Sequence, residues 1–124
     1  MAAIRMCLDA YALIEIARGN SSFAEYINSN FVITDLTLAE FYAALLLEDG
    51  EKKADYWFNK LERYSLPIPK EIIIHAIKFR QEHKKKRISF FDAIGYIFAI
   101  KNACYFVTGD KEFEGLPNVE FKKD

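Results

Sequence analysis

Residues 88–113, ISFFDAIGYIFAIKNACYFVTGDKEF, decide how this chain folds. Ser89 opens a helical pattern as an N-cap, and Asp92 stands three positions later, where a capping-box acid sits. From Phe90 to Asn102 the pattern is apolar almost all round, which predicts a helix buried on several sides. A short connection leads to a strand at residues 104–108, and this strand runs into Thr108-Gly109-Asp110, a turn that ends on an acid. One helix and one strand thus fix two carboxylates, Asp92 and Asp110, around one apolar block.

Upstream of this block, strands and helices alternate. Residues 4–8 form a mostly apolar strand candidate bounded by Asp9, as expected of a strand covered on both faces. Residues 11–17 have helical spacing at Leu13, Ile14 and Ala17 and stop at Gly19-Asn20. Ser21 or Ser22 can cap a second short helix through about residue 28, with Phe23, Tyr26 and Ile27 on its apolar side. Residues 31–34 read as a second strand. Thr37-Leu38-Ala39-Glu40 has the capping-box form, which predicts a helix with Thr37 as N-cap and Glu40 in its first turn, broken near Asp49-Gly50. Residues 51–64 give an amphipathic helix with Ala54, Trp57, Phe58 and Leu61 on one side. Pro67 limits residues 65–68 to a short edge strand, because it withholds a donor. A helix follows from Pro69 or Lys70 to about His83, with Ile73, Ala76 and Ile77 in register and Arg80 a further candidate for that face. Downstream of the opening block lie a helical turn at 112–115 and a final short strand at 119–121.

This alternation predicts an α/β fold, with a mainly parallel sheet covered by helices on both faces, in one domain over residues 1–124. The composition agrees: 124 residues suit one domain, and 52% hydrophobic residues are enough for a core and too many for a disordered chain. The net charge of −1 excludes no class of partner, but Lys78, Arg80, His83, Lys84, Lys85, Lys86 and Arg87 crowd into ten residues. Cys7 and Cys104 stand in strand runs without metal-type spacing, and read as buried free thiols of a cytosolic protein; a bridge between neighbouring strands is the alternative. His75 and His83 have no matching ligands nearby and read as structural or solvent-facing. The opening MAAIRMCLDAY lacks a leader pattern, and the most apolar helix is far short of the ~20 residues that cross a bilayer, so the expectation is a soluble cytoplasmic protein.

In a parallel α/β fold, strand C-termini and the N-termini of the helices after them share one edge of the sheet, where ligand sites form. Asp9 ends the first strand, Glu40 opens the helix after the second, Asp110 follows the fourth, and Asp92 opens the helix that leads back to it. Four carboxylates from four segments are therefore expected to approach one another. Each has a plainer explanation: Glu40 and Asp92 as capping acids, Asp9 and Asp110 as turn residues. Asp35 also follows a strand and reads as an ordinary turn residue. Capping and turns do not explain why all four share one edge. Close carboxylates stay ionised only when cations or hydrogen bonds compensate them. Mg²⁺ or Mn²⁺ suits such an oxygen-only set, taking a few carboxylates and substrate phosphate oxygens, and a pair of ions ~4 Å apart clamps both oxygens of an in-line displacement.

The pieces CLDAYALIEI around Asp9, LTLAEFYAAL around Glu40, ISFFDAIGYIFAIKNA around Asp92 and FVTGDKEFEGL around Asp110 occur in an order and spacing that resemble the PIN domain, most closely the small toxin ribonucleases of VapBC-type toxin–antitoxin pairs. The resemblance spans essentially the whole chain. It implies a three-layer α/β/α sandwich with a five-stranded sheet, and divalent-metal-dependent cleavage of RNA. It further implies Asp9, Glu40, Asp92 and Asp110 as the acidic metal site, and a small antitoxin protein as partner. Trp57, Phe58, Phe23 and Tyr26 read as mostly core by spacing; in the toxin reading, some of them form an antitoxin groove or a homodimer face. The family often carries Thr or Ser after the first Asp, where this chain has Ala10. Thr108 precedes Asp110 by two residues, in the family's manner, and is placed to orient it by hydrogen bonding.

Lys84, Lys85, Lys86 and Arg87 lie just before Asp92, placed to bind RNA phosphates beside an edge that would otherwise repel them; a solvated helix end explains the same run. Other functions compete with the toxin reading. A PIN nuclease in RNA processing or quality control shares the chemistry. A receiver-like signalling module also has acids at strand ends, but it needs an acid pair at the first strand and a phosphoacceptor Asp at the third. Asp9 has no acidic neighbour, and the third strand leads to Pro69. An inactive PIN-like scaffold would have lost acids that are all present here.

Overall fold

The computed structural model describes residues 4–123; residues 1–3 and 124, including the start of the segment read as lacking a leader, lie outside the described residues. The chain builds β1 (Arg5–Leu8), α1 (Ala10–Ala17), a 3-10 helix (Ser21–Asn28), β2 (Phe31–Thr34), α2 (Asp35–Asp49) and α3 (Glu51–Leu61). A 3-10 turn (Glu62–Tyr64) then leads to β3 (Ser65–Leu66), α4 (Lys70–Glu82), α5 (Phe90–Lys101) and β4 (Cys104–Thr108). A last 3-10 turn (Lys111–Phe113) precedes β5 (Val119–Phe121). The sheet has the order β3-β2-β1-β4-β5, and every ladder in it is parallel. A receiver-type sheet has β1 between β2 and β3, whereas here it lies between β2 and β4.

The central strands explain why their sequences run apolar without alternation. Neighbouring side chains on a strand face opposite ways, and here both sides are core. Cys7, Val32 and Phe106 enter a cluster with Ile72, Ala76 and Ile94 from α4 and α5. Leu8, Ile33 and Val107, each the next residue along, enter a second cluster with Leu13, Phe41, Leu45, Ala54 and Leu61 from α1, α2 and α3. The result is an α/β/α sandwich. Its edges, β3 and β5, are two and three residues long, which limits open pairing surface.

Gly95 sets how closely α5 lies on the sheet. A Cβ there would come within 2.9 Å of the Phe106 ring, so glycine is kept at a mid-helix position despite its cost of about 1 kcal/mol. Helix α5 is not apolar to no purpose, yet it is not buried all round: Phe91 and Ile100 stay substantially exposed. Cys7 and Cys104 are buried free thiols. They lie on adjacent strands but out of register, Cys104 opposite Arg5 and Cys7 opposite Phe106.

Several local expectations are corrected. Thr37 is not the cap of α2. Thr34, the last residue of β2, caps it by accepting from the Thr37 N–H at 3.0 Å, and the helix begins directly at Asp35. A strand can pass straight into a helix when its last residue is a good N-cap, and Thr34 supplies that hydroxyl. Glu40 therefore stands in the second turn, beyond the capping positions. Asp35, read as a turn residue, is in the first helical turn and accepts from the Ser65 hydroxyl. Asn20, rather than Ser21 or Ser22, caps the first 3-10 helix. On α4 the buried face runs through Ile72 and Ala76, leaving Ile77 half exposed and Arg80 exposed, with Arg80 Nε donating to the Ile88 carbonyl at 3.0 Å.

The corrected cap yields the first prediction. Thr34→Val keeps the shape of this buried residue and removes its hydroxyl, and is expected to lower stability by about 1–2 kcal/mol in denaturant unfolding. Unchanged stability would show that Thr34 does not cap α2.

Candidate functional site

The parallel ladder of β1 and β4 aligns Leu8 with Val107, so the residues that follow each strand emerge side by side at one edge. Asp9 is the N-cap of α1, and its Oδ1 accepts from the Ala12 N–H at 2.9 Å. The pattern Asp-x-x followed by an apolar helix already carries that signal, although the residue was read as a turn. Asp110 caps the turn after β4 in the same way, accepting from the Glu112 N–H at 3.0 Å. Asp92 occupies the third position of α5, where its N–H donates to Ser89 Oγ at 3.1 Å and the Ser89 hydroxyl bonds its carboxylate. Three of the acids therefore sit at helix starts, whose positive ends favour negative charge. Glu40 is the exception: with the cap of α2 at Thr34, no capping role places it.

Thr108 joins two of the acids. It is fully buried. Its hydroxyl bonds the Asp9 carboxylate and accepts from the Asp110 N–H at 3.1 Å. The sequence suggested a link from Thr108 to Asp110; the link runs through the Asp110 backbone, and the side chain serves Asp9.

Asp9, Glu40, Asp92 and Asp110 all line one cleft of about 400 Å³. Ala10, where the family often carries a hydroxyl, is also on its wall. Five lining residues are not expected at the site from the sequence: Tyr11, Ile14, Ala44, Gly109 and Lys123. Gly109 was read only as a turn residue. Its real constraint is space, since a Cβ there would come within 2.5 Å of the Tyr11 ring. Nothing in a single sequence pairs those two positions. Lys123 reaches the cleft because the chain after β5 continues along β4, with the Lys122 N–H donating to the Thr108 carbonyl at 2.8 Å. It is the one cation among the residues lining the cleft.

The electrostatics are those of crowded carboxylates. Burial raises Asp9 from 3.8 to about 7, opposed by its bonds from Thr108 and Ala12 and reinforced by the charges of Asp92 and Glu40. Burial also raises Asp92, with Asp110 adding repulsion and Ser89 opposing. Glu40 is raised by lost hydration and by Asp92, although its side chain is exposed at the cleft mouth. The donor set is all oxygen, with no His or Cys on the cleft wall, which suits a hard divalent cation rather than a soft one. Among the described residues no three of these groups form a ready ligand shell. They share the cleft without closing on one point, as mutually repelling carboxylates do.

Lys84, Lys85, Lys86 and Arg87 do not line this cleft. Of the four, Lys86 is tied to the segment after Asp110: its Nζ donates to the Glu112 carbonyl at 3.0 Å, in the turn that Asp110 caps. The His83 ring lies tilted against Phe79 with centroids 4.3 Å apart, and neither histidine is on the cleft wall.

A family model described as the PIN domain matches residues 6–119. The chain belongs to the PIN domain family. Solved structures agree with that placement of the fold. This PIN domain is similar to a toxin–antitoxin complex from Klebsiella pneumoniae, at 19% identity and TM-score 0.76, covering 93% of this chain and 95% of that one. It is similar to VapC20 of Mycobacterium tuberculosis, titled a sarcin-ricin loop cleaving toxin, at 16% identity and TM-score 0.75, with 93% and 98% covered. It is also similar to VapBC2 from Rickettsia felis bound to a promoter DNA fragment, at 19% and 0.74, with 97% and 100% covered. No curated protein sequence matches the chain. Among the described residues, no helix of the PIN domain is long and apolar enough to cross a membrane.

Asp9 makes stability depend on pH. Its folded pKa lies above its unfolded value of 3.8, so the folded state holds the proton more tightly. Below pH ~4 both states are protonated and there is no penalty. As pH rises toward about 7 the unfolded chain has already ionised, and stability falls. The full loss amounts to up to about 4 kcal/mol. The metal-free protein is therefore expected to lose stability from pH ~4 to ~7, and Asp9→Asn to flatten that loss and to be the more stable protein at pH 8. Parallel wild-type and variant curves from chemical denaturation would contradict the burial of an ionisable Asp9.

Proposed function

We propose that this chain is a divalent-metal-dependent endoribonuclease and acts as the toxin of a toxin–antitoxin pair. The observation that carries the reading is the placement of Asp9, Glu40, Asp92 and Asp110 on one cleft at the C-terminal edge of a PIN-domain sheet. Glu40 weighs most, because neither capping nor core packing accounts for it. The toxin assignment rests on the solved structures it resembles, which are a VapC toxin and toxin–antitoxin complexes.

In this reading the four carboxylates hold Mg²⁺ or Mn²⁺. When bound, such an ion neutralises charge building up on a phosphodiester under attack. The chain's own residues do the rest. Thr108 and the start of α1 hold the Asp9 carboxylate in one orientation, and Ser89 holds Asp92. Lys84, Lys85, Lys86 and Arg87 draw the RNA backbone toward an edge that would otherwise repel it. Lys123 offers an ammonium within the cleft itself. A small antitoxin protein is the proposed partner. Leu46, Leu47 and Tyr56 of α2 and α3 provide exposed apolar surface for it to cover, whereas Phe23 and Tyr26 are buried and serve the core. The chain is read as one domain over residues 1–124, working in the cytoplasm, alone or as a homodimer.

The test is cleavage of a mixed RNA pool with Mg²⁺ or Mn²⁺. Wild type is expected to cleave, EDTA to stop it, and Asp92→Asn to lower the rate by about 100-fold or more. Cleavage that survives EDTA, or that Asp92→Asn leaves intact, would overturn the mechanism.

A further inference from the structure

Between the end of α4 and the start of α5 the chain forms a second, half-open cavity of about 310 Å³. Four basic side chains line it: Arg80, His83, Lys84 and Lys86. Ile77 and Ile88 give it apolar wall, and no carboxylate lines it. The neighbouring acid, Glu82, is not on its wall; it lines an adjoining hollow together with His83, Lys84, Lys85 and Lys86. Among the described residues, none of the ion pairs engages Arg80, Lys84 or Lys86. In a chain of net charge −1, this is a local excess of uncompensated cations. Like charges that share one space repel, and an anion between them offsets that repulsion.

Two hydrogen bonds tie this cavity to the segments that carry the acids. Arg80 Nε donates to the carbonyl of Ile88, the residue before the N-cap of Asp92's helix. That bond uses only Nε, and no other described hydrogen bond engages the two terminal guanidinium nitrogens, whose fork matches two oxygens of one phosphate. Lys86 Nζ reaches the Glu112 carbonyl in the turn after Asp110. On His83, Nδ1 faces the Phe79 carbonyl at 3.0 Å; a carbonyl only accepts, so Nδ1 carries the proton and is spent on that bond, which fixes the ring at the cavity wall. The basic run is thus not a uniform patch. Lys84 and Lys86 line the cavity, while Lys85 and Arg87 do not. Ile77, half exposed at the cavity wall, offers apolar contact to whatever the anion is attached to.

We propose that this cavity is a nucleotide subsite: it seats a backbone phosphate of the RNA strand away from the scissile bond, with the attached sugar or base against Ile77. The subsite sets the strand's register on the acidic cleft. This inference rests on the ribonuclease reading and deepens it.

The experiment measures binding of a short labelled single-stranded RNA of mixed sequence by fluorescence anisotropy, in EDTA, across a salt series. Wild type, Lys84→Gln and Lys78→Gln are compared. Lys84 is exposed and donates to no protein group among the described hydrogen bonds, so its variant keeps the fold. Lys78 is exposed on α4, outside the cavity, and its variant makes the same charge change. Lys84→Gln is expected to weaken binding and to reduce the slope of log affinity against log salt by about 0.7, one single-strand phosphate contact. Lys78→Gln is expected to leave both unchanged. Equal losses in the two variants, or a wild-type slope in Lys84→Gln, would overturn the subsite. In a second arm, inorganic phosphate is titrated against the His83 ring signals by NMR; a response to phosphate without Lys84-dependent RNA binding also overturns it. RNA cleavage with Lys84-independent binding defeats the subsite alone. Lys84-dependent binding without cleavage leaves the subsite standing and defeats the ribonuclease reading.

Discussion

The structure is arranged around one electrostatic constraint: the Asp9 carboxylate is nearly shut off from water at the end of a strand that has no solvent face. Burying a charge is tolerable only when hydrogen bonds or an opposite charge stand in for water. Here the start of α1 supplies the Ala12 N–H and β4 supplies the Thr108 hydroxyl. Those bonds lower the cost without removing it, because Asp92 and Glu40 add charge of the same sign. The edge of the sheet therefore holds negative charge in excess of what the protein around it compensates.

The rest of the fold serves to hold that edge still. Adjacent residues of β1, β2 and β4 are driven into opposite cores, so these strands cannot slip by one residue without exchanging both faces. Gly95 lets α5 settle on Phe106, which fixes the helix whose first turn carries Asp92. Gly109 lets the Asp110 turn lie against Tyr11 of α1. Close packing at these two glycines converts sheet geometry into the positions of two carboxylates.

Much of this was legible in the residues. Apolar runs bounded by turn residues gave the strands, and their alternation with helices gave the parallel sheet and hence the shared edge. The acids were visible because three of them follow strands or open helices. The boundaries failed where two good N-caps stood three residues apart. Thr34 and Thr37 both have the chemistry, and the choice was made by where β2 stops pairing, a long-range fact. With Thr37 as the cap, Glu40 has the position of a capping acid; with Thr34 as the cap it lies in the second turn, where no local role accounts for it. The α4 face was misread for a related reason: Ile72, Ile73 and Ile77 are interchangeable by composition, and only the packing against α5 selects Ile72. Lys123 and the Gly109–Tyr11 contact depend on how distant segments meet, which no local pattern records.

Taken together, the molecule separates its charges. One cleft is acidic and has no His or Cys on its wall, one cavity is basic and has no carboxylate on its wall, and hydrogen bonds from Arg80 and Lys86 tie that cavity to the segments just before Asp92 and just after Asp110. The central claim is that the acid cleft is built for a cation. Calorimetric titration of Mn²⁺ into the metal-free protein tests it most directly. Saturable binding by wild type, weakened about tenfold or more in Asp9→Asn, is the expected result. No binding by wild type, or the same affinity in Asp9→Asn, would contradict it.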